Sequence, residues 1–115
     1  MDSKEASKKL EQELGKDFHG RTLFRDEISV VISQSRIKDA LKFCKEVLDF
    51  DYLVDLSGID NMGEDPRYEV VYELYSYNHG CHLRIKTGVD EAERELPSVV
   101  DLWPTANWHE REAYD

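Results

Sequence analysis

Apolar residues recur at helical spacing in two segments of the chain, residues 3–14 and residues 35–48. In the first segment they return every four positions and form a narrow stripe of Ala6, Leu10 and Leu14. In the second they form the broad face typical of a helix that covers a sheet: Ile37, Ala40, Leu41, Cys44, Val47 and Leu48. Ser3 and Ser35 are the predicted N-caps, and Gly15 can end the first helix.

Five other segments alternate apolar and polar residues or are rich in β-branched residues, and we predict that they form strands. They are residues 22–25, 28–33, 52–56, 68–77 and 81–88. The first two are close enough in sequence to form a hairpin. The segment Asn61–Arg67 contains Gly63 and Pro66, which favour a loop between strands.

The last two predicted strands form a second hairpin around Asn78-His79-Gly80. A register shifted by one residue would turn the apolar face of a strand toward water, so only some turn lengths are allowed. A two-residue turn places Glu73 opposite Arg84, and a four-residue turn places Glu73 opposite Lys86. Either cross-strand pair of opposite charges is favourable.

The predicted element order is α-β-β-α-β-β-β-α. It includes a short helical turn at Val99–Trp103, with Asp101 placed to pair with Ser98 at its start, and the final helix begins at Thr105 or Ala106. Mainly antiparallel strands with helices on one side indicate an α+β fold, a two-layer sandwich with a mixed sheet of about five strands. The 115 residues suit a single core, so we expect residues 1–115 to form one domain.

Composition limits the kinds of partner. The formal net charge is −10 and the isoelectric point is near 4.8, which disfavours nucleic acid because phosphate binding needs a basic surface. No apolar run approaches the roughly 20 residues that span a bilayer. The two cysteines, Cys44 and Cys81, are expected to be reduced thiols packed in the interior, as in a cytosolic protein.

Two segments that contain histidine also contain other residues with metal-ligand chemistry. In His79-Gly80-Cys81-His82, strand alternation points Cys81 and His82 to opposite faces, and no second cluster completes four ligands. His109 and Glu112 are three residues apart on a predicted helix. Di-iron bundles use Glu-x-x-His in that order and in two copies, whereas here the order is reversed and the chain has one copy. We predict no metal site at either place.

A free-standing small enzyme, perhaps assisted by a metal ion, is an alternative of a different class. It would require carboxylates such as Asp55, Asp60 and Glu69 to converge. Alternation along a regular strand points Asp55 and Asp60 to opposite faces, which counts against this alternative. The chain also has no phosphate-binding glycine loop and no Cys-x-x-Cys pair for an iron–sulphur cluster.

The last twenty residues, Leu96–Asp115, hold both tryptophans and a dense run of charges. Their end, Glu110–Asp115, reads E-R-E-A-Y-D. This fits the E-R-E-x-x-D opening of the signature of the 30 kDa subunit family of the proton-pumping NADH:quinone oxidoreductases (respiratory complex I). Leu56–Asp60 and Arg67–Ser76 resemble a strand pair of that family. The resemblance extends from about Val30 onward, and membrane-bound hydrogenases contain a related subunit.

The resemblance implies a structural subunit of the peripheral arm, without catalytic activity of its own, that supports electron transfer from NADH to quinone. It implies no cofactor in this chain, since NADH, flavin, iron–sulphur clusters and quinone are bound by other subunits. The implied partners are the large quinone-site subunit and the iron–sulphur subunits. The implied location is peripheral, on the cytoplasmic side of the inner membrane and without a membrane span.

The end of the chain is the predicted partner interface. Trp103 is expected to point inward, while Trp and Arg are the residue types favoured as interface anchors. The candidate interface residues are Trp108, Glu110, Arg111, Glu112, Tyr114 and Asp115. The later half of the family signature would follow Asp115, so we expect the chain to be the N-terminal part of a longer 30 kDa-type subunit whose C-terminal tail is absent.

The same scaffold also suits the equivalent subunit of a membrane-bound hydrogenase, a formate-linked complex or an F420-type dehydrogenase. In all of these the electron donor is bound by another subunit, so this domain does not distinguish them.

Overall fold

A computed structural model describes residues 1–25, 27–60, 68–89, 96–106 and 110. In chain order its elements are α1 (Ser3–Leu14), a 3₁₀ turn (Gly15–Asp17), β1 (Phe18–Phe24), β2 (Glu27–Ile32), a 3₁₀ turn (Gln34–Arg36), α2 (Ile37–Glu46), β3 (Tyr52–Asp60), β4 (Tyr68–Ser76) and β5 (Cys81–Val89). The predicted final helix falls largely outside these residues.

The five strands form one sheet in the order β1-β2-β5-β4-β3. Neighbouring strands are antiparallel except for β2 and β5, which run parallel at the centre of the sheet. The parallel pair arises because the chain leaves β2 through α2 and returns to the far side of the sheet as β3. The predicted α+β sandwich with a mixed five-stranded sheet is confirmed.

One face of the sheet packs against both helices, and we call it the covered face. Its buried side chains come from alternate positions of the strands, apart from an irregularity between Leu53 and Asp55 of β3. They are Ile28, Val30 and Ile32; Leu53 and Leu56; Val70, Tyr72 and Leu74; Leu83, Ile85 and Val89. Leu10 of α1 and Leu41 of α2 belong to the same cluster. The opposite face of the sheet, which we call the open face, carries the intervening residues.

The helix ends differ from the prediction at their first residues. Asp2 caps α1 instead of Ser3, and its carboxylate accepts a hydrogen bond from the Glu5 N–H at 2.8 Å. The Ser3 hydroxyl instead donates to the backbone oxygen of His82, which ties α1 to β5. Ser35 lies within a 3₁₀ turn, and no described side chain caps α2. Gly15 ends α1 as predicted, with a positive φ of 56°.

β1 and β3 are longer than predicted because pairing with a neighbour decides their length. The sequence around Gly20 and Arg21 is too polar to indicate a strand, yet β1 pairs with β2 from Phe18 onward, with an irregularity between Phe18 and Gly20. The Arg21 guanidinium finds its partners on α1, where it donates to the Ser7 hydroxyl at 2.8 Å and to the Glu11 carboxylate. The last residues of β3 pair regularly with β4.

The β4–β5 hairpin adopts one of the two predicted registers. Glu73 lies opposite Arg84, and the Arg84 guanidinium donates to the Glu73 carboxylate through Nε at 2.9 Å. The last pair of the ladder is Ser76 with Cys81, so the four residues 77–80 connect the strands. The prediction that a four-residue turn would place Glu73 opposite Lys86 is therefore wrong. Gly80 has a φ of 61°, which favours glycine at this position.

Candidate functional site

Residues 96–106 lie against the covered face and complete its hydrophobic core. Val99, Leu102, Trp103 and Ala106 are buried in the same cluster as the helices and strands. The Trp103 side chain is only 3% exposed, and its indole N–H donates to the backbone oxygen of Phe50 at 3.2 Å. The predicted inward orientation of Trp103 is confirmed, and its polar atom is satisfied in the interior, as buried tryptophan requires.

Glu110 is the one predicted interface residue within the described part of the chain, and its carboxylate binds the same chain. One oxygen accepts the backbone N–H of Val99 at 2.7 Å, and the other accepts the Ser98 hydroxyl at 2.9 Å. A carboxylate that accepts backbone N–H groups at the start of a turn satisfies donors that would otherwise have no partner. Glu110 therefore binds the segment that covers the core.

The other five predicted interface residues lie outside the described residues: Trp108, Arg111, Glu112, Tyr114 and Asp115. His109, one half of the weak His-x-x-Glu pair, lies outside them as well. Their assignment to an interface stays a prediction.

An ion pair connects the 96–106 segment to α2. The Lys38 ammonium lies 3.1 Å from the Asp101 carboxylate, and this hydrogen bond is the largest cause of a lowered pKa at Asp101. The sequence predicts instead that Asp101 pairs with Ser98 at the start of the turn. Ser98 is occupied by Glu110, and its hydroxyl accepts the Val100 N–H at 3.3 Å.

The two cysteines are free thiols on separate elements. Cys44 on α2 is fully buried, and this burial raises the pKa of its thiol, so it remains protonated and unreactive at neutral pH. Cys81 at the start of β5 is partly buried, and burial likewise raises its pKa. Both positions agree with the prediction of reduced, packed thiols.

The residues with metal-ligand chemistry are separated as alternation predicts. Cys81 packs against the core cluster on the covered face, whereas His82 packs against the Tyr75 ring on the open face. His79 lies 3.3 Å from the Asp49 carboxylate at the hairpin loop. Within the described ranges, no three His, Cys, Asp or Glu side chains come close enough to hold a metal ion.

The carboxylates considered for a free-standing enzyme are spread along the sheet. Asp55 pairs with Glu73, while Glu69 pairs with Ile59, four residues further along β3. At about 3.3 Å per residue, that separation is roughly 13 Å along the strand. Asp55 and Glu69 therefore do not form one acidic site.

The open face has a feature that the sequence analysis missed. Tyr52, Tyr77, Tyr75 and His82 follow one another at its hairpin end, and their rings are in contact along the series. The available signal was that β4 carries large apolar or aromatic residues on both faces, including Val71 and Tyr75 on the face opposite Tyr72. A strand that is apolar on both sides indicates a second contact surface.

Neither α1 nor α2, nor any other helical segment in the described ranges, has the length and apolar character that crossing a bilayer requires.

Comparison with known proteins places this geometry in context. The model of one protein family, described as respiratory-chain NADH dehydrogenase, 30 Kd subunit, matches residues 30–115. An NADH-quinone oxidoreductase subunit of Roseiflexus sp. (strain RS-1) is 42% identical over 98 residues. Those residues are 84% of this chain and 56% of that protein, so the chain spans little more than half the length of this relative.

Two solved structures share the fold. A trypsin-resistant fragment (1–134) of Nqo5 superimposes with a TM-score of 0.83 at 30% identity, covering 94% of this chain and 88% of the fragment. A chain in the membrane-bound sulfane sulfur reductase, an archaeal respiratory membrane complex, has a TM-score of 0.75 at 24% identity, covering 95% of this chain and 64% of that one. At the lower identity the likeness concerns the fold alone.

Proposed function

This chain belongs to the 30 kDa subunit family of respiratory-chain NADH dehydrogenases, and on that premise we propose that it is a structural subunit of the peripheral arm of an NADH:quinone oxidoreductase. It supports electron transfer from NADH to quinone by holding neighbouring subunits in place. Its partners are the large quinone-site subunit and the iron–sulphur subunits, on the cytoplasmic side of the membrane. The redox groups are held by those partners.

The observation that carries this proposal is the family match over residues 30–115, which reaches the Glu110–Asp115 signature at the end of the chain. The geometry of Glu110 agrees with a structural use of that signature. Its carboxylate accepts the Val99 N–H at the start of the turn that leads to the buried Trp103. Glu110 and Trp103 thus stabilise the chain's own fold, as expected of a subunit with a structural role.

The partner contact is assigned to the remaining residues of the signature and to Trp108. Arg111 has a planar guanidinium that can bind a carboxylate of a neighbouring subunit through two parallel hydrogen bonds. Trp108 supplies a large apolar anchor of the kind found at the centres of interfaces. Glu112, Tyr114 and Asp115 add polar contacts around that anchor.

Alanine variants of the full-length subunit test the assignment. Arg111→Ala and Glu112→Ala should weaken incorporation into the peripheral arm about tenfold, the effect of losing roughly 1.4 kcal/mol of binding free energy. The melting temperature of the isolated subunit should not change. Lys8→Ala and Glu13→Ala remove the same charges from the exposed side of α1 and serve as matched controls. Unchanged incorporation of the Arg111 and Glu112 variants would remove the proposed contact.

The absence of a redox role has a separate test. The purified subunit should contain substoichiometric iron and flavin, and its visible spectrum should have no absorption band. A cofactor that co-purifies in a one-to-one ratio, and survives gel filtration, would contradict a structural role.

The equivalent subunit of another respiratory membrane complex is the second candidate. The fold shared with the sulfane sulfur reductase chain is its support. The 42% identity with a relative named as an NADH-quinone oxidoreductase subunit favours the first assignment. Identification of the proteins that co-purify with the full-length subunit decides between them.

A further inference from the structure

Among the described residues, the helices and the 96–106 segment cover one face of the sheet. Of the seven large hydrophobic side chains that are exposed in the described residues, five lie on the other face and its rim: Val31, Tyr52, Val54, Ile59 and Tyr77. Val71 lies on that face too, but it is buried beneath its neighbours and is outside the core cluster. Apolar residues on both faces are typical of a sheet that is covered on both sides.

Three tyrosines and a histidine form a continuous series at the hairpin end of the open face, which we call the tyrosine ladder (Tyr52, Tyr75, Tyr77 and His82). The ring centroids of Tyr52 and Tyr77 are 5.9 Å apart, and those of Tyr75 and Tyr77 are 5.0 Å apart. The rings of Tyr75 and His82 have centroids 4.6 Å apart. These tilted and edge-to-face contacts hold the rings in place, so little side-chain entropy is lost when another molecule binds them.

The outer members of the ladder are accessible. Tyr77 is 66% exposed and Tyr52 is 43% exposed, and Val54 beside them is 37% exposed. A shallow groove of about 130 Å³ runs next to Val54 and His82 and is walled by Glu73, Arg84 and Glu27. A surface with rigid aromatic rings beside a groove has the form of a protein-recognition site.

The charge around the ladder is negative. Asp51 lies next to Tyr52, and its carboxylate accepts the Tyr77 backbone N–H at 3.1 Å. Asp49 approaches the His79 ring of the same hairpin loop. The nearby Arg84 guanidinium already binds Glu73 and lies 3.7 Å from the Glu27 carboxylate. The surroundings therefore favour a cation from outside the chain.

We propose that the tyrosine ladder is a docking surface for a segment of another protein subunit that presents an arginine or lysine side chain among apolar residues. The cation would lie against the exposed tyrosine rings, where the aromatic quadrupole attracts positive charge, and near the carboxylate of Asp51. The apolar neighbours would cover Val54 and the groove. The net charge of −10 on this chain matches a basic partner.

This inference rests on the proposed function in one respect, namely that the partner is a subunit of the same assembly. The ladder shares no residue with the Glu110–Asp115 segment, so each proposed contact can be removed by its own substitutions.

Serine variants in the full-length subunit test the aromatic contact. Tyr52→Ser combined with Tyr77→Ser should lower the amount of subunit recovered in the assembled peripheral arm at least about tenfold. The matched controls are Leu23→Ser and Val47→Ser, which remove hydrophobic side chains of similar exposure, 65% and 60%, away from the ladder. The controls should assemble within about twofold of the unmodified subunit, as expected for near-neutral surface positions.

The charge of the partner is tested by Asp51→Asn. This change removes the charge and keeps an oxygen that can accept the Tyr77 N–H, so the local fold is preserved. It should weaken assembly several-fold and reduce the salt dependence of dissociation. Assembly of this variant equal to the unmodified subunit, with no salt dependence, would overturn the cationic chemistry.

The outcomes separate the two proposals. If the unmodified subunit associates with the other subunits and the tyrosine double variant associates equally well, the docking surface is wrong and the proposed function stands. If the unmodified subunit associates with none of them, the proposed function itself is wrong. Self-association of the purified protein that disappears in the double variant would identify a second copy as the occupant and would overturn the proposal.

Discussion

The covered face and the open face of the sheet use the same strands for different purposes. On β4, Tyr72 and Leu74 are fully buried against the helices, while Tyr75 on the other face belongs to an accessible aromatic series. Because side chains alternate along a strand, adjacent residues can serve stability and recognition independently. Substitutions on the two faces should therefore separate unfolding from assembly.

The largest expected effect concerns the covered face. Leu41→Ala removes a fully buried side chain of α2 and leaves a cavity, so the free energy of unfolding should fall by about 3 kcal/mol. Val47→Ala, at the exposed end of the same helix, is the control and should cost less than about 0.5 kcal/mol. Urea denaturation measures both values. Equal losses of unfolding free energy at the two positions would contradict the assignment of Leu41 to the buried core and of Val47 to the surface.

Removal of a buried hydroxyl on the covered face should raise the free energy of unfolding instead of lowering it. Thr87 is fully buried, and its oxygen has no hydrogen-bond partner among the described residues. Thr87→Val replaces this hydroxyl by a methyl group of similar size and should raise the free energy of unfolding by about 1 kcal/mol. Ser76→Ala is the matched control: its buried hydroxyl accepts the His79 N–H at 3.2 Å, so its removal should destabilise the chain by a similar amount.

The layers were predictable because they depend on periodicity. The apolar face of α2 and the alternation of β4 and β5 are strong local patterns, and they led to the observed sandwich and narrowed the hairpin to two registers, one of which is observed. The extent of β1 was not predictable, because Arg21 is polar and its partners on α1 are distant in sequence. The identity of the α1 cap was also missed, because Asp2 and Ser3 are both good capping residues.

The candidate site was predictable only in outline. The resemblance drew attention to Glu110, but the sequence did not indicate that its carboxylate binds Ser98 and Val99 twelve and eleven residues earlier. The tyrosine ladder depends on the β3–β4 pairing, which brings Tyr52 opposite Tyr75. Pairing between distant segments is a tertiary property that local patterns do not contain.

The contribution of Glu110 to the segment that covers the core can be measured by substitution. Glu110→Ala removes the acceptor of the Val99 N–H and should cost about 1 kcal/mol of unfolding free energy, like the loss of a helix cap. Glu110→Gln keeps one oxygen acceptor and should cost less. Guanidinium denaturation that shows no difference between the two variants would argue against this hydrogen bond.

The smallest effect concerns the exposed pair of Lys38 and Asp101. The neighbouring ammonium lowers the pKa of Asp101 in the folded chain, so its contribution is present above the unfolded pKa and is lost as pH falls through the folded one. Asp101→Asn should therefore lower stability slightly at neutral pH and flatten its decline in acid. Lys38→Ala should give the same shape, and thermal melts between neutral pH and about pH 2 compare the three proteins.

Solvent access to the two sides of the molecule, before and after assembly, tests the central claim most directly. In a Cys81→Ser background, Tyr77→Cys places a thiol on the tyrosine ladder, and Val47→Cys places one at the exposed C-terminal end of α2. Maleimide labelling should slow at least about tenfold at position 77 when the full-length subunit enters the peripheral arm, because an interface core excludes water. The rate at position 47 should stay nearly constant. Unchanged labelling at position 77 in the assembled complex would contradict the account.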